Sequence, residues 1–225
     1  MTISRVNDAF PPGGYPLIRA LAFASCYVYS PTGLGTASAR SRSLCGLLKA
    51  ADIRFIGKYA NRVRELVAAG APLSGFLGPH DVLMPVPGSA PQLRGMPSAA
   101  GRLAEALVCQ GVGEAVWCGL HRLFEVPKSA TAAPGCRPTV AEHFESLVVD
   151  TRIQVPDRLV LVDDVITKGR TLLAAAARVR EAYPHVPIGA FALLRTMGFV
   201  QEVTRFLEPC VGEIRWRSGD AIRSP

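Results

Sequence analysis

Leu159-Val160-Leu161-Val162-Asp163-Asp164-Val165-Ile166-Thr167-Lys168-Gly169-Arg170-Thr171 is the stretch on which the reading of this chain turns. Four aliphatic residues in succession after Pro156-Asp157 suit a strand covered on both faces, as a parallel sheet requires. Asp163 and Asp164 then fall at the strand's carboxyl end, where open α/β sheets collect their ligands. Thr167, Lys168, Gly169, Arg170 and Thr171 bring two hydroxyls, a flexible glycine and two cations before a strong helix-forming run starts at Leu172. Such a segment can hold a phosphate on the amides of a helix N-terminus, with the carboxylates placed to accept from sugar hydroxyls. Phosphate and diol together point to a phosphorylated ribose.

A second informative stretch is Val82-Leu83-Met84-Pro85-Val86-Pro87-Gly88-Ser89, where a short apolar strand breaks into a stiff, proline-bounded turn. Pro87, Gly88 and Ser89 can present backbone and hydroxyl donors to a pyrophosphate, with Arg94 close behind as counter-charge. The residues from Leu159 to Thr171 resemble the phosphoribosyl-pyrophosphate (PRPP) motif of the type I phosphoribosyltransferases, matching it at Asp163, Asp164, Thr167, Gly169 and Thr171. Lys168 and Arg170 stand where the commonest form is uncharged, although a cation at the latter position occurs in hypoxanthine-type members. Met84-Pro85-Val86-Pro87 with Arg94-Gly95 is similar to the ComF-like branch of that family, while Met96-Pro97-Ser98 departs from its usual continuation. The resemblance implies an α/β fold with a doubly wound parallel sheet and a hood, a Mg²⁺-PRPP site, and transfer of the phosphoribosyl group to a nitrogenous base with release of pyrophosphate. By the same resemblance Asp163 and Asp164 serve the ribose hydroxyls directly or through metal-bound water, and residues 167–171 surround the 5′-phosphate. Mg²⁺ needs no all-protein cage, because it binds with phosphate oxygens and retained waters.

Composition sets the outer limits. A chain of 225 residues with 49% hydrophobic residues supports one substantial core. Positive mean hydropathy argues against wholesale disorder. No apolar run approaches the roughly 18 residues of a membrane span. The first residues lack a cationic end followed by a long apolar core, which argues against a secretory signal and sets a cytoplasmic expectation. Six dispersed cysteines show neither a zinc-knuckle nor a redox-pair spacing and read mostly as small buried hydrophobes. The net charge of +7 favours polyanionic partners, a pyrophosphate-bearing metabolite over nucleic acid, since the cations are dispersed along the sequence.

Taken in order, residues 1–16 read as an irregular arm and 17–29 as a strand. Helices follow over 39–51 and from a cap at Asp52, ending near Gly70 and Pro72. Residues 1–78 read as an arm and a cap on the sheet, which by resemblance is the hood that selects the acceptor; residues 79–225 read as the core. Strands are expected at 81–86, 115–120 and 188–194, and a helix at 99–110. Residues 121–145 read as a lid over the pyrophosphate, with Lys128 and Arg137 facing charge on the leaving group. His143 and Arg195 are candidate acceptor contacts, each with a plain structural alternative. A short helix is expected over 200–207, an edge strand over 213–217, and a fading tail. A homodimer is the expected assembly. The rival reading is a PRPP- or nucleotide-sensing regulator without turnover, associated with nucleic acid.

Overall fold

The computed structural model describes residues 18–70, 72–92, 96, 98–127, 137–151, 155–197 and 203–225. Along the chain these form β1 (Ala20–Tyr29), α1 (Thr36–Lys49), α2 (Ile53–Ala68), β2 (Val82–Pro85), α3 (Ala99–Cys109), β3 (Ala115–Val116) and β4 (Leu120–Arg122). They continue with α4 (Val140–Glu145), β5 (Leu147–Val149), β6 (Leu159–Ile166), α5 (Arg170–Ala182), β7 (Ile188–Thr196), β8 (Leu207–Arg217) and β9 (Asp220–Ser224). Seven strands make one mixed sheet in the order β3-β2-β6-β7-β1-β8-β9, parallel from β3 to β1 and antiparallel from there on. The fold is α/β with a mostly parallel sheet.

The aliphatic run explains the centre. Leu159 and Leu161 pack with Leu172, Leu173 and the alanines of α5, while Val160 and Val162 pack with residues of α1, α2 and α3 on the opposite face. All four are fully buried, as a strand between two helical layers requires. Asp52 caps α2 by accepting from the Phe55 amide at 3.0 Å. On the other face α4 docks against α5, with Arg178 stacked 3.6 Å from the Phe144 ring centre.

Several expectations need correction. The described part of residues 1–78 is not a layer apart from the sheet, because β1 lies within it, parallel to β7 and antiparallel to β8. Strand neighbours are chosen by long-range pairing, which local pattern does not carry. The segment expected as a strand over 115–120 divides between β3 in the main sheet and β4 in a separate ladder with β5. The segment 121–145, expected as one long loop, has regular structure at both ends, and residues 128–136 lie outside the described residues. β4 opens it and α4 closes it, the helix being started by a Thr139–Glu142 capping box.

Residues 203–205 are not helical, and Leu207 already begins β8. Pro209 falls where the β1–β8 register shifts, a place that tolerates a missing amide donor. The expected tail is the edge strand β9, joined to β8 by Ser218-Gly219 with φ of 51° and 84°, so β8 is not the edge. Of the five described cysteines, Cys26 and Cys45 are buried, Cys210 is half-buried, and Cys109 and Cys118 are exposed. Among the described residues no helix is long and apolar enough to cross a membrane.

Candidate functional site

The strand order reverses beside β6. From β2 the chain moves outward to β3, whereas from β6 it moves the other way to β7, which opens a crevice beyond the carboxyl ends of β2 and β6. β2 stops first. Its last pair is Pro85 with Val162, extended by the Val86 amide on the Val162 carbonyl at 2.8 Å. β6 runs on against β7 as far as Ile166 opposite Arg195. Asp163 and Asp164 therefore sit on the last part of a strand that has lost one neighbour, inside β6 rather than after it.

Strict alternation breaks here, since Val162 and Val165 pack on one face and Leu161 and Ile166 on the other, and the two carboxyl groups interact with each other. The Asp163 carboxyl is pushed well above the usual carboxylate range by burial and by the charge of Asp164, with Arg122 opposing. On the α1 side, burial pushes the Cys45 thiol up and the Asp164 charge adds to the effect. Asp163 Oδ1 accepts from the Asp164 amide and Asp164 Oδ1 from the Val165 amide, both at 2.8 Å. Adjacent oxygen donors of this kind suit a hard divalent cation. Among the described residues no group of three or more His, Cys, Asp or Glu gathers around a common point, so a cation here would draw further ligands from the molecule it accompanies.

Thr167 to Thr171 form the next wall. α5 begins at Arg170, two residues earlier than expected, with Gly169 as its N-cap in a left-handed conformation (φ 87°). A Cβ there would come within 2.6 Å of Ile214 in β8, so both the backbone and its neighbour demand glycine. The first-turn amides of α5 have no intrahelical acceptors and open onto a shallow hollow lined by Arg137, Asp163 and residues 165–172. Lys168 and Arg170 both pair with Asp220, at 3.0 Å from Lys168 Nζ and 2.5 Å from Arg170 Nε.

Across the crevice, Pro87, Gly88 and Ser89 follow β2 directly. Arg122, buried at 5% exposure, donates to the Gly88 carbonyl and to the Ser146 hydroxyl. The Val126 amide donates to the Ser89 carbonyl at 2.8 Å. Burial pulls Arg122 down to about 10 against the attraction of Asp163. Sequence reasoning missed Arg122 as a site residue, since its burial depends on Ser146, far along the chain. On the outer side of this turn lies a second hollow of about 210 Å³, touched by Pro85, Pro87, Gln92, Cys118, His121 and Arg122.

Lys128 and Arg94 lie outside the described residues. Arg137 is exposed and lines the hollow at residues 165–172. His143 and Arg195 line neither hollow. His143 is 3% exposed with Nε2 3.3 Å from the Thr171 hydroxyl and Nδ1 without a hydrogen-bond partner. Burial, reinforced by the Arg122 charge, pushes its pKa down to about 4, so the imidazole is neutral at pH 7. Arg195 is buried in a pair with Glu208 and donates to that residue's carbonyl at 2.6 Å. His143 therefore supports Thr171 from behind, while Arg195 ties β7 to β8.

No protein-family model matches the chain. A search of curated proteins finds no match either.

Proposed function

We propose that the chain is a type I phosphoribosyltransferase-like protein with a doubly wound sheet, binding Mg²⁺-PRPP in the β2/β6 crevice and transferring the phosphoribosyl group to a nitrogenous base. The observation that carries this reading is the meeting, at the reversal of strand order, of paired carboxylates, a glycine-capped helix N-terminus and a proline-stiffened turn. Asp163 and Asp164 accept from the ribose hydroxyls, and the amides and hydroxyls of residues 167–171 hold the 5′-phosphate. Pro87, Gly88, Ser89 and Arg94 hold the pyrophosphate. The base nitrogen bonds to the anomeric carbon as the pyrophosphate leaves with the bonding electron pair. Arg137 and Lys128 balance the charge that develops on the leaving group and help keep water out. Mg²⁺, when bound, neutralises phosphate oxygens and eases that departure. His143 stays neutral and orients the Thr171 hydroxyl. By resemblance the acceptor side is assigned to the N-terminal cap, with His143 and Arg195 as candidate contacts. The protein is cytoplasmic and dimeric in this reading.

Titration with Mg²⁺-PRPP tests it. Saturable binding that disappears in Asp163→Asn/Asp164→Asn without unfolding is the expected result; no binding at millimolar ligand sinks the assignment.

One observation favours the second reading, a PRPP- or nucleotide-sensing regulator that works on nucleic acid. The stretch spanning α1 and α2 carries seven Lys and Arg against two acids, five of the chain's seven net positive charges. Arg54, Lys58 and Arg62 stand four residues apart along α2, a like-charged row that a helix disfavours on its own. Pyrophosphate release with a purine, pyrimidine or nicotinate-like base selects the enzyme. PRPP binding without release, together with salt-dependent retention of DNA or RNA, selects the regulator.

A further inference from the structure

Lys168 and Arg170 are the two positions at which the phosphate loop carries unexpected charge, and both end on one carboxylate. Asp220 takes the Arg170 guanidinium side-on, 2.5 Å from Nε and 2.8 Å from Nη2, and the Lys168 ammonium at 3.0 Å. Bidentate pairing fixes the plane of a guanidinium as well as its distance. With two nitrogens so held, Nη1 is aimed at the carbonyls of Arg137 at 3.3 Å and Pro138 at 3.1 Å. One side chain thus ties the start of α5 to the β8–β9 hairpin and to the chain leading into α4. Asp220 is itself fixed, since its Oδ1 accepts from the Ala221 amide at 2.8 Å and the left-handed pair Ser218-Gly219 precedes it.

An exposed ion pair would carry little meaning. This one is different in two respects. The Arg170 and Asp220 side chains are only 20% and 29% exposed. In addition, the residue whose carbonyl Arg170 holds, Arg137, also lines the hollow over the loop.

We propose that Asp220 is a positioning residue of the phosphate site, acting through Arg170 to set residues 137–138 so that Arg137 stands over the loop. The inference rests on reading residues 167–171 as a sugar-phosphate site, and it brings the β8–β9 hairpin into that site. It also gives the two unexpected cations different roles. Arg170 is a fixed strut, whereas Lys168, the more exposed partner, turns from Asp220 toward an incoming phosphate.

The test compares the full chain with Asp220→Asn and Asp220→Glu. Without any ligand, amide exchange at residues 137–141 and 167–171 speeds up by about tenfold in Asp220→Asn, the size of one charge-assisted contact, while the core of α5 is unchanged. The dissociation constant for ribose 5-phosphate rises by about the same factor. Asp220→Glu recovers most of both effects. Unchanged exchange at 137–141 overturns the inference, leaving Asp220 an anchor of its own hairpin. Tighter binding of ribose 5-phosphate by Asp220→Asn also overturns it, since Asp220 is then a competitor of the anion. A wild-type chain that binds neither ribose 5-phosphate nor Mg²⁺-PRPP overturns the sugar-phosphate reading and the ligand part of this inference, while the exchange comparison still decides the coupling of Asp220 to residues 137–138.

Discussion

The turn after β2 and the turn after β6 face each other across one crevice and are held still by different physics. The first is stiffened covalently by Pro85 and Pro87, and its Gly88 and Ser89 carbonyls are tied down by buried Arg122 and by the Val126 amide. The second depends on a left-handed glycine over Ile214 and on part-exposed charges meeting at Asp220. Buried hydrogen bonds are indifferent to salt, whereas part-exposed ion pairs are screened by it. One wall of the crevice is therefore indifferent to salt, and the other can respond to the solution around it.

The comparison breaks most severely at Arg122. Arg122→Ala strands the Gly88 carbonyl and the Ser146 hydroxyl and is expected to cost about 3 kcal/mol, read as a lower urea midpoint that does not vary with KCl. A loss under about 1 kcal/mol would show that the first turn holds itself.

His143 lies behind the second wall, under the Arg122 charge and against Thr171. Its folded pKa of about 4 lies below the unfolded value, so the unfolded chain binds the extra proton first. Stability therefore falls as pH drops from about 6.5 to about 4, by up to about 3 kcal/mol. His143→Gln should flatten that part of the stability profile, and an unchanged slope would move the sensitivity to another group.

Gly169→Ala comes next. A left-handed φ and a contact inside 3 Å with Ile214 together cost about 2 kcal/mol, of which Ile214→Ala should recover part in a double-mutant cycle. Strict additivity would mean that the clash is relieved elsewhere.

The smallest effect sharpens the contrast. Asp220→Asn should lower stability by only about 1 kcal/mol or less, and by less again in high salt. The Arg170 and Lys168 charges hold the Asp220 carboxyl below its usual range, so this contribution is present above the unfolded carboxylate value and fades as pH falls toward the folded one. A salt-independent loss would indicate that packing, not charge, fixes the second wall.

Much of the crevice is legible locally. An aliphatic run ending in two acids and a threonine-glycine-threonine frame announces a strand, a turn and a helix start, since each depends on neighbours in sequence. Two further signals were equally local. Thr139 with Glu142 spells a capping box, and Ser218-Gly219 between apolar-polar alternations spells a hairpin, yet the proline-rich surroundings of one and the charge of the other obscure them. Other features are not local at all. That β1 lies between β7 and β8, that Arg122 is buried by Ser146, and that Lys168 and Arg170 share Asp220 are consequences of residues brought together over long stretches of chain.

Ala174, Ala175, Ala176 and Ala177 in α5 are all buried, between the sheet on one side and α4 on the other, and each presents only a methyl group. They act as shims of minimal thickness. Such small side chains let α5 pack close to the elements around it. Bulkier residues along this row would push the helix away from its neighbours and shift its first turn relative to Asp163 and Asp164, with no change to any residue of the crevice itself. The spacing of the site is thus written into the blandest part of the sequence.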